Sequence, residues 1–166
     1  MSEISEKTKS LKMLIQIGML ASVYAAITWA VAPISYAVIQ FRVSEALKGM
    51  ATKRKWFAYA FAVGNFISNL FSPFGFLEYT WMPLWNFIGA MGAYYLSQKI
   101  HPLIGSAFFA ASITFAVSFM LSFVLGIPFL WILPFIAIPE FILIVGFTPV
   151  MRRIVDQLED LGVFVD

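Results

Sequence analysis

The chain of 166 residues contains no cysteine and one histidine, and only 12% of its residues are charged. The absence of cysteine excludes disulfide bonds, thiolate metal sites and a cysteine nucleophile. The single His101 leaves little for a histidine metal cluster, and no glycine-rich phosphate-binding loop is present. We therefore expect no metal, no cofactor, no catalytic residues and no ATPase site of its own.

Apolar residues are what the chain has in abundance. They make up 61% of it, and the mean hydropathy is +0.86. Soluble domains rarely exceed about half apolar residues, so the composition indicates an integral membrane protein. At this length we expect one domain, residues 1–166.

Apolar stretches of about 18 residues or more recur along the chain, and each can cross a bilayer as a helix. Prolines, glycines and a basic run divide the chain into six predicted spans. They cover residues 11–32, 40–52, 56–71, 81–98, 103–125 and 128–151. Pro134 and Pro139 predict that the last span is kinked or broken.

The basic residues indicate the orientation of these spans. With six spans, ten of the eleven Lys and Arg residues fall on one side of the membrane, and Arg42 alone lies on the other. The positive-inside rule then places both termini in the cytoplasm. The predicted fold is an all-α bundle of six transmembrane helices.

Four ionisable residues lie outside the basic clusters, and a charge at membrane depth usually faces a partner or a cavity. They are Arg42, Glu45, Glu78 and Glu140. We interpret them as parts of a polar pocket that opens to the outside, with Phe41 and Trp85 among its aromatic walls. In the alternative interpretation, Arg42 and Glu45 form a local ion pair on one helix face, and Glu78 is a solvated loop residue.

Two further helix-face patterns have two interpretations each. Asn65 and Asn69, four residues apart, either bridge helices or contact a ligand. The first span carries small residues at four-residue spacing, which favours either close packing within the bundle or docking of a partner subunit. These residues are Ala21, Ala25, Ala26 and Ala30, with Gly18 one turn earlier.

The segments IQFRVSEAL (39–47) and GNFISNLFSPFG (64–75) resemble the QueT family of queuosine-precursor transporters. These are substrate-binding S components of energy-coupling factor (ECF) transporters, a branch of the ABC transporters. The resemblance covers about residues 10–150. It implies a six-helix bundle that binds its ligand from outside and works with a transmembrane T component and two ATPase subunits. It also implies that the alanine faces of the first span dock onto the T component.

The resemblance also implies a ligand chemistry. A 7-deazaguanine presents N1–H and an exocyclic amine side by side, and one carboxylate can accept both hydrogen bonds. Glu45 is the leading candidate for that carboxylate, and Glu140 is a second one that could neutralise an aminomethyl cation. Arg42 would orient Glu45 or anchor the first outer loop, residues 33–41, as a lid. The predicted substrate-binding residues are Glu45, Arg42, Asn69, Glu78, Glu140, Phe41 and Trp85.

Three other hypotheses stay open at this point. The chain could be an S component for a different vitamin-like molecule, an intramembrane enzyme that uses a glutamate as acid or base, or a structural membrane subunit without a ligand. A small molecule that copurifies with the protein would favour the ligand-binding hypotheses.

The distribution of basic residues makes a prediction about topology. Because the chain has no native cysteine, Ser2→Cys, Asp166→Cys and Ser72→Cys each introduce a unique thiol. In intact cells, an impermeant thiol reagent should label the cysteine at position 72 and leave those at positions 2 and 166 unlabelled. Labelling at only one terminus would mean an odd number of spans.

Overall fold

The computed structural model describes residues 2–36 and 41–164, and the regular segments within these ranges are helical. The α-helices are α1 (Ser2–Ala30), α2 (Ala32–Ser35), α3 (Phe57–Asn69), α4 (Phe76–Lys99), α5 (Pro102–Leu125), α6 (Phe129–Glu140) and α7 (Gly146–Asp160). A 3₁₀ helix covers Val43–Thr52, and a π-helical segment, Phe141–Val145, joins α6 to α7. Residues 37–40, which belong to the predicted outer loop and the start of the second predicted span, lie outside the described residues.

Local sequence signals explain how α5 begins and ends. The side chain of His101 accepts a hydrogen bond from the backbone N–H of Leu103 at 3.2 Å, and Pro102 occupies the first helical turn. Both features favour a helix start. At the other end, Gly126 has a φ of +68°, the left-handed conformation that glycine adopts easily after a helix. The turn predicted around Gly126 and Pro128 therefore lies where the sequence indicated.

The last predicted span is continuous rather than broken. Phe129–Asp160 remains helical for 32 residues, although Pro134 and Pro139 lie inside α6. The hydrogen-bonding pattern changes instead to the wider π form at Phe141, immediately after Glu140. Isolated π turns inside α-helices often occur at functional sites, and this one follows a buried carboxylate.

The second predicted span is a 3₁₀ helix and not an α-helix. Its ten residues rise by about 2.0 Å each, so the segment is about 20 Å long. Eight of them are buried: Ser44, Glu45, Ala46, Lys48, Gly49, Met50, Ala51 and Thr52. The segment packs against α1, α3, α4, α5, α7 and the π segment, and it therefore lies at the centre of the bundle.

The backbones of this 3₁₀ helix and of α7 approach each other closely at Gly49 and Thr148. A Cβ atom built on Gly49 would lie 2.8 Å from the Cα of Thr148, a distance that real Cβ atoms do not tolerate. Only glycine fits there without a backbone shift.

Apolar side chains cover the outside of the molecule. Phe123, Leu130 and Trp131 are 75%, 74% and 74% exposed. Several charged side chains are buried inside. This distribution is the reverse of a soluble protein and fits a bundle embedded in lipid.

Three helical segments are long and apolar enough to cross a membrane: Glu6–Ala30, Pro102–Leu125 and Phe129–Asp160. The chain is thus an all-helical membrane protein. By contrast, α3 has 13 residues, fewer than the roughly 20 that a full crossing needs. The count of six spans stays a prediction.

Candidate functional site

A network of buried polar side chains runs through the interior between the 3₁₀ helix, α1, α3 and α4. Of the acidic and basic residues in the described ranges, five are buried: Arg42, Glu45, Lys48, Glu78 and Glu140. None of them is more than 4% exposed. A buried charge is costly unless it has a partner, so their contacts define the site.

Arg42 links four segments of the chain. Its Nε donates to the backbone oxygen of Ser35 at 3.2 Å, and its Nη1 donates to Asn69 Oδ1 at 2.9 Å. Its Nη2 forms an ion pair with Glu78 Oε1. The other oxygen of Glu78 accepts a hydrogen bond from Ser72. The guanidinium thus joins α2, α3 and α4 to the start of the 3₁₀ helix.

Glu45 has a separate set of partners. Tyr24 of α1 donates its hydroxyl to Glu45 Oε1 at 2.5 Å, and Lys48 Nζ pairs with Glu45 Oε2. The ammonium of Lys48 lies 5.2 Å from the centroid of the Phe109 ring, close enough for a cation–π contact. Lys48 is therefore neutralised inside the bundle.

Two asparagines connect the Arg42 and Glu45 groups. Asn69 donates to Asn65 Oδ1 at 3.0 Å, and Asn65 Nδ2 lies 3.5 Å from the hydroxyl of Tyr24. The polar contacts therefore run without a break from Glu78 through Arg42 and the asparagines to Glu45.

The alternative interpretation, in which Arg42 pairs with Glu45, is wrong, because Arg42 pairs with Glu78 instead. Arg42 precedes the 3₁₀ helix in an extended conformation, with φ −99° and ψ 101°, so the helical spacing rule does not apply to it. The alternative view of Glu78 as a solvated loop residue is also wrong. Glu78 lies in the first turn of α4 and is 0% exposed.

Lys48 was expected among the basic residues at one membrane face, and this expectation is wrong too. It is 1% exposed and belongs to the buried network. In a 3₁₀ helix, residues three apart lie directly above one another, and Glu45 and Lys48 have that spacing. This spacing was the sequence signal that could have revealed the pair.

Glu140 differs from Glu45 and Glu78, which each form an ion pair, because no salt bridge among the described residues involves it. It is 4% exposed and lies within electrostatic range of Glu45 and Lys48. Its Oε2 atom has no hydrogen-bond partner among the described residues. Of the five buried charged residues three are acidic and two are basic, so one carboxylate exceeds the buried cations.

More unpartnered polar atoms lie on α4 and α5, and composition alone did not indicate them. Within residues 41–164, no hydrogen bond is made by Trp85 Nε1, Asn86 Oδ1, Thr114 Oγ1 or Ser118 Oγ, and all four are buried. Such atoms usually cost stability unless another molecule satisfies them.

Trp85, which carries one of these unpartnered atoms, packs among other aromatic rings. The Trp85 ring lies 5.6 Å from that of Trp81 and 5.5 Å from that of Phe115, measured between centroids. Phe115 in turn meets Phe129 at 5.8 Å. Trp85 therefore belongs to a cluster of aromatic rings, and Phe41 is 37% exposed. A role of either residue as a wall of a ligand pocket stays a prediction.

The four alanines of α1 fall into a buried pair and an exposed pair. Ala21 and Ala25 are 1% and 2% exposed, and a Cβ on Gly64 of α3 would lie 3.0 Å from the backbone oxygen of Ala21. These two residues thus pack inside the bundle and do not form a free docking face, contrary to expectation. Ala26 and Ala30 are exposed.

A metal centre has no obvious place in this site. Across the described ranges, no group of three or more His, Cys, Asp or Glu side chains is close enough to hold a metal ion. The buried network is built from ion pairs and hydrogen bonds instead.

Charged side chains inside a helical membrane bundle usually mark a functional site, such as a substrate or ion pathway. Residues 14–157 match the family model described as QueT transporter. The chain belongs to the QueT transporter family, and it is a transporter rather than an enzyme. No curated protein and no solved structure matches it significantly.

The Arg42–Glu78 pair leads to a prediction about stability. Glu78→Gln removes one partner of a fully buried ion pair and should destabilise the protein by about 3–5 kcal/mol. The Arg54–Glu159 pair is 34% and 22% exposed, so Glu159→Gln should cost about 1 kcal/mol or less. Thermal melts of the purified variants measure both effects, and equal melting temperatures for the two variants would contradict the prediction.

Proposed function

We propose that this transporter is the substrate-capture S component of an ECF-type ABC transporter and that it imports a queuosine precursor of the 7-deazaguanine type. The observation that carries the proposal is the excess buried carboxylate, Glu140, whose Oε2 has no partner among the described residues. A polar atom that stays buried without a hydrogen-bond partner costs free energy, and a ligand that satisfied Oε2 would remove this cost.

The charged and hydrogen-bonding groups of the proposed ligand are complementary to the unpartnered atoms of the protein. An aminomethyl-deazaguanine carries one positive charge, which would balance the excess carboxylate and pair with Glu140. Asn86 Oδ1 is a free acceptor for the N1–H or the exocyclic amine of the base, and Ser118 and Thr114 offer hydroxyls for its carbonyl edge. The Trp85 and Phe115 rings supply flat surfaces for stacking.

This assignment changes the expected roles of the other charged residues. Both oxygens of Glu45 already have partners, Tyr24 and Lys48, so we assign Glu45 the role of holding Lys48 beside Glu140. Arg42, Asn69 and Glu78 would position the 3₁₀ helix instead of contacting the ligand. Phe41 remains a candidate for the pocket entrance.

Six spans with both termini in the cytoplasm remain the topology that we propose. The contacts at one end of the bundle support it. Arg54 pairs with Glu159, Lys53 pairs with Asp156, and Arg152 Nη1 donates to Thr52 at 3.2 Å. Basic residues of two segments, the turn before α3 and α7, therefore gather at one end, as the positive-inside rule requires.

Energy for import would come from partner subunits, namely a T component and two ATPases. On α1 the exposed small residues Gly18, Ser22, Ala26 and Ala30 are four residues apart. Such a stripe allows close approach of another helix. It is our proposed contact with the T component, in place of the buried Ala21 and Ala25.

A different vitamin-like ligand is the main rival hypothesis. Mass spectrometry of small molecules that copurify with the protein separates the two directly. A ligand without a cationic group would leave the excess carboxylate unexplained and would count against an aminomethyl-deazaguanine, and a ligand without a guanine-like edge would count against the 7-deazaguanine class.

Glu140→Gln tests the ligand assignment. Losing a charge-assisted hydrogen bond costs about 1.5–3 kcal/mol, so calorimetric affinity for 7-aminomethyl-7-deazaguanine should fall roughly 10- to 100-fold. Affinity for 7-deazaguanine, which lacks the cation, should hardly change. Because the variant removes an unmatched carboxylate, its ligand-free thermal stability should equal or exceed that of the parent.

Two results would contradict this prediction. One is an unchanged affinity of a well-folded Glu140→Gln protein for the aminomethyl compound. The other is an equal loss for both compounds, which would mean that Glu140 does not recognise the cation. Glu159→Gln, at a partly exposed ion pair, is the matched control for the substitution itself.

Ala26→Trp tests the proposed docking stripe. The bulky ring should block the approach of the T component, so uptake should be lost while the purified subunit binds its ligand normally. Leu84→Trp, at a position on α4 that is 53% exposed, is the control and should retain uptake. Uptake is measured in cells that also produce the T component and the ATPases. Loss of ligand binding in Ala26→Trp would show that this face supports the bundle instead.

A further inference from the structure

A groove of about 650 Å³ lies between α1, the start of α3 and the second half of α4, away from the buried network. Residues of α1 form one wall, and two of them, Met13 and Leu14, are 36% and 66% exposed. Tyr59 of α3 and Tyr94 of α4 also line the groove. Its surface is therefore apolar and aromatic over much of its length.

Two positive charges lie at the same groove. Arg54 and Lys55 line it and immediately precede α3. Arg54 is oriented by Glu159, whose Oε1 lies 2.9 Å from its Nε. Lys55 is exposed. The groove thus combines a cationic end with an apolar wall.

The position of the groove matches the boundary between lipid and water. It lies at the end of the bundle where the pairs of Lys53 with Asp156 and Arg54 with Glu159 occur. Tyr59 is 50% exposed, and tyrosines at this level are typical of the interfacial belt of membrane proteins. The exposed apolar surface of α1 continues from Leu14 to Met19 and Val23, away from the N-terminal lysines, and it gives an acyl chain a path towards the membrane centre.

We propose that this groove binds an anionic phospholipid such as phosphatidylglycerol. Its phosphate would lie against Lys55 and Arg54, and an acyl chain would follow Met13, Leu14 and Ile17. Basic residues near a membrane surface attract anionic lipids by about 1 kcal/mol each. The apolar wall favours a complete lipid over a soluble phosphate, because the wall offers nothing to a small polar anion. The proposal rests on the membrane location and not on the identity of the transported substrate.

Native mass spectrometry of the purified protein tests this site. The detergent-solubilised protein is exposed to an equimolar mixture of palmitoyl-oleoyl phosphatidylglycerol and palmitoyl-oleoyl phosphatidylcholine. We expect selective retention of phosphatidylglycerol. Lys55→Gln should lower its apparent affinity about fivefold, the equivalent of about 1 kcal/mol. Lys99→Gln removes the same charge at the exposed end of α4 outside the lining of the groove, and it should bind like the parent.

The experiment separates the groove from a diffuse attraction to positive charge. An equal loss in Lys55→Gln and Lys99→Gln would overturn the proposal, and so would equal retention of the two lipids by the parent protein. Displacement of phosphatidylglycerol by glycerol 1-phosphate would also overturn it, because it would show that the headgroup alone binds. Lys55 is exposed, so the variant should fold, and a thermal melt equal to that of the parent checks this.

Discussion

The guanidinium of Arg42 is the interaction on which the rest of the structure depends. It joins α2, α3 and α4 through Ser35, Asn69 and Glu78 at the point where the central 3₁₀ helix begins. In a low-dielectric interior an unpaired guanidinium would be very costly, so these segments must assemble around it. The same requirement fixes where the 3₁₀ helix enters the bundle and therefore where Glu45 and Lys48 lie.

The three buried carboxylates differ in their partners. Glu78 and Glu45 each face a cation, so they help to hold the bundle together. Glu140 lies beside the same network without a partner for its Oε2, directly before the π segment of the last helix. A buried carboxyl oxygen with no partner suits a site that a ligand completes, because binding then removes the cost of the unsatisfied atom. The transporter family and the proposed cationic ligand are consistent with this arrangement.

Sequence reasoning was most successful where the signal is local. The membrane class followed from hydropathy, the family from two short segments, and the α5–α6 turn from Gly126 and Pro128. It failed where partners come from distant parts of the chain. Arg42 and Glu78 are 36 residues apart, so no spacing rule connects them. Lys48 was grouped with surface lysines because its burial depends on the six other helical segments that pack around the 3₁₀ helix.

By itself, the sequence determined that the chain is helical, that it belongs in a membrane and that a few charged residues must lie inside it. These conclusions depend on composition and periodicity, which are properties of neighbouring residues. Only the tertiary structure decided which charges pair, that the second span is a 3₁₀ helix, and that Ala21 and Ala25 face inward while Ala26 and Ala30 face outward. The reason is physical: ion pairing and burial are set by distances between segments far apart in the chain, and those distances exist only after the helices have packed.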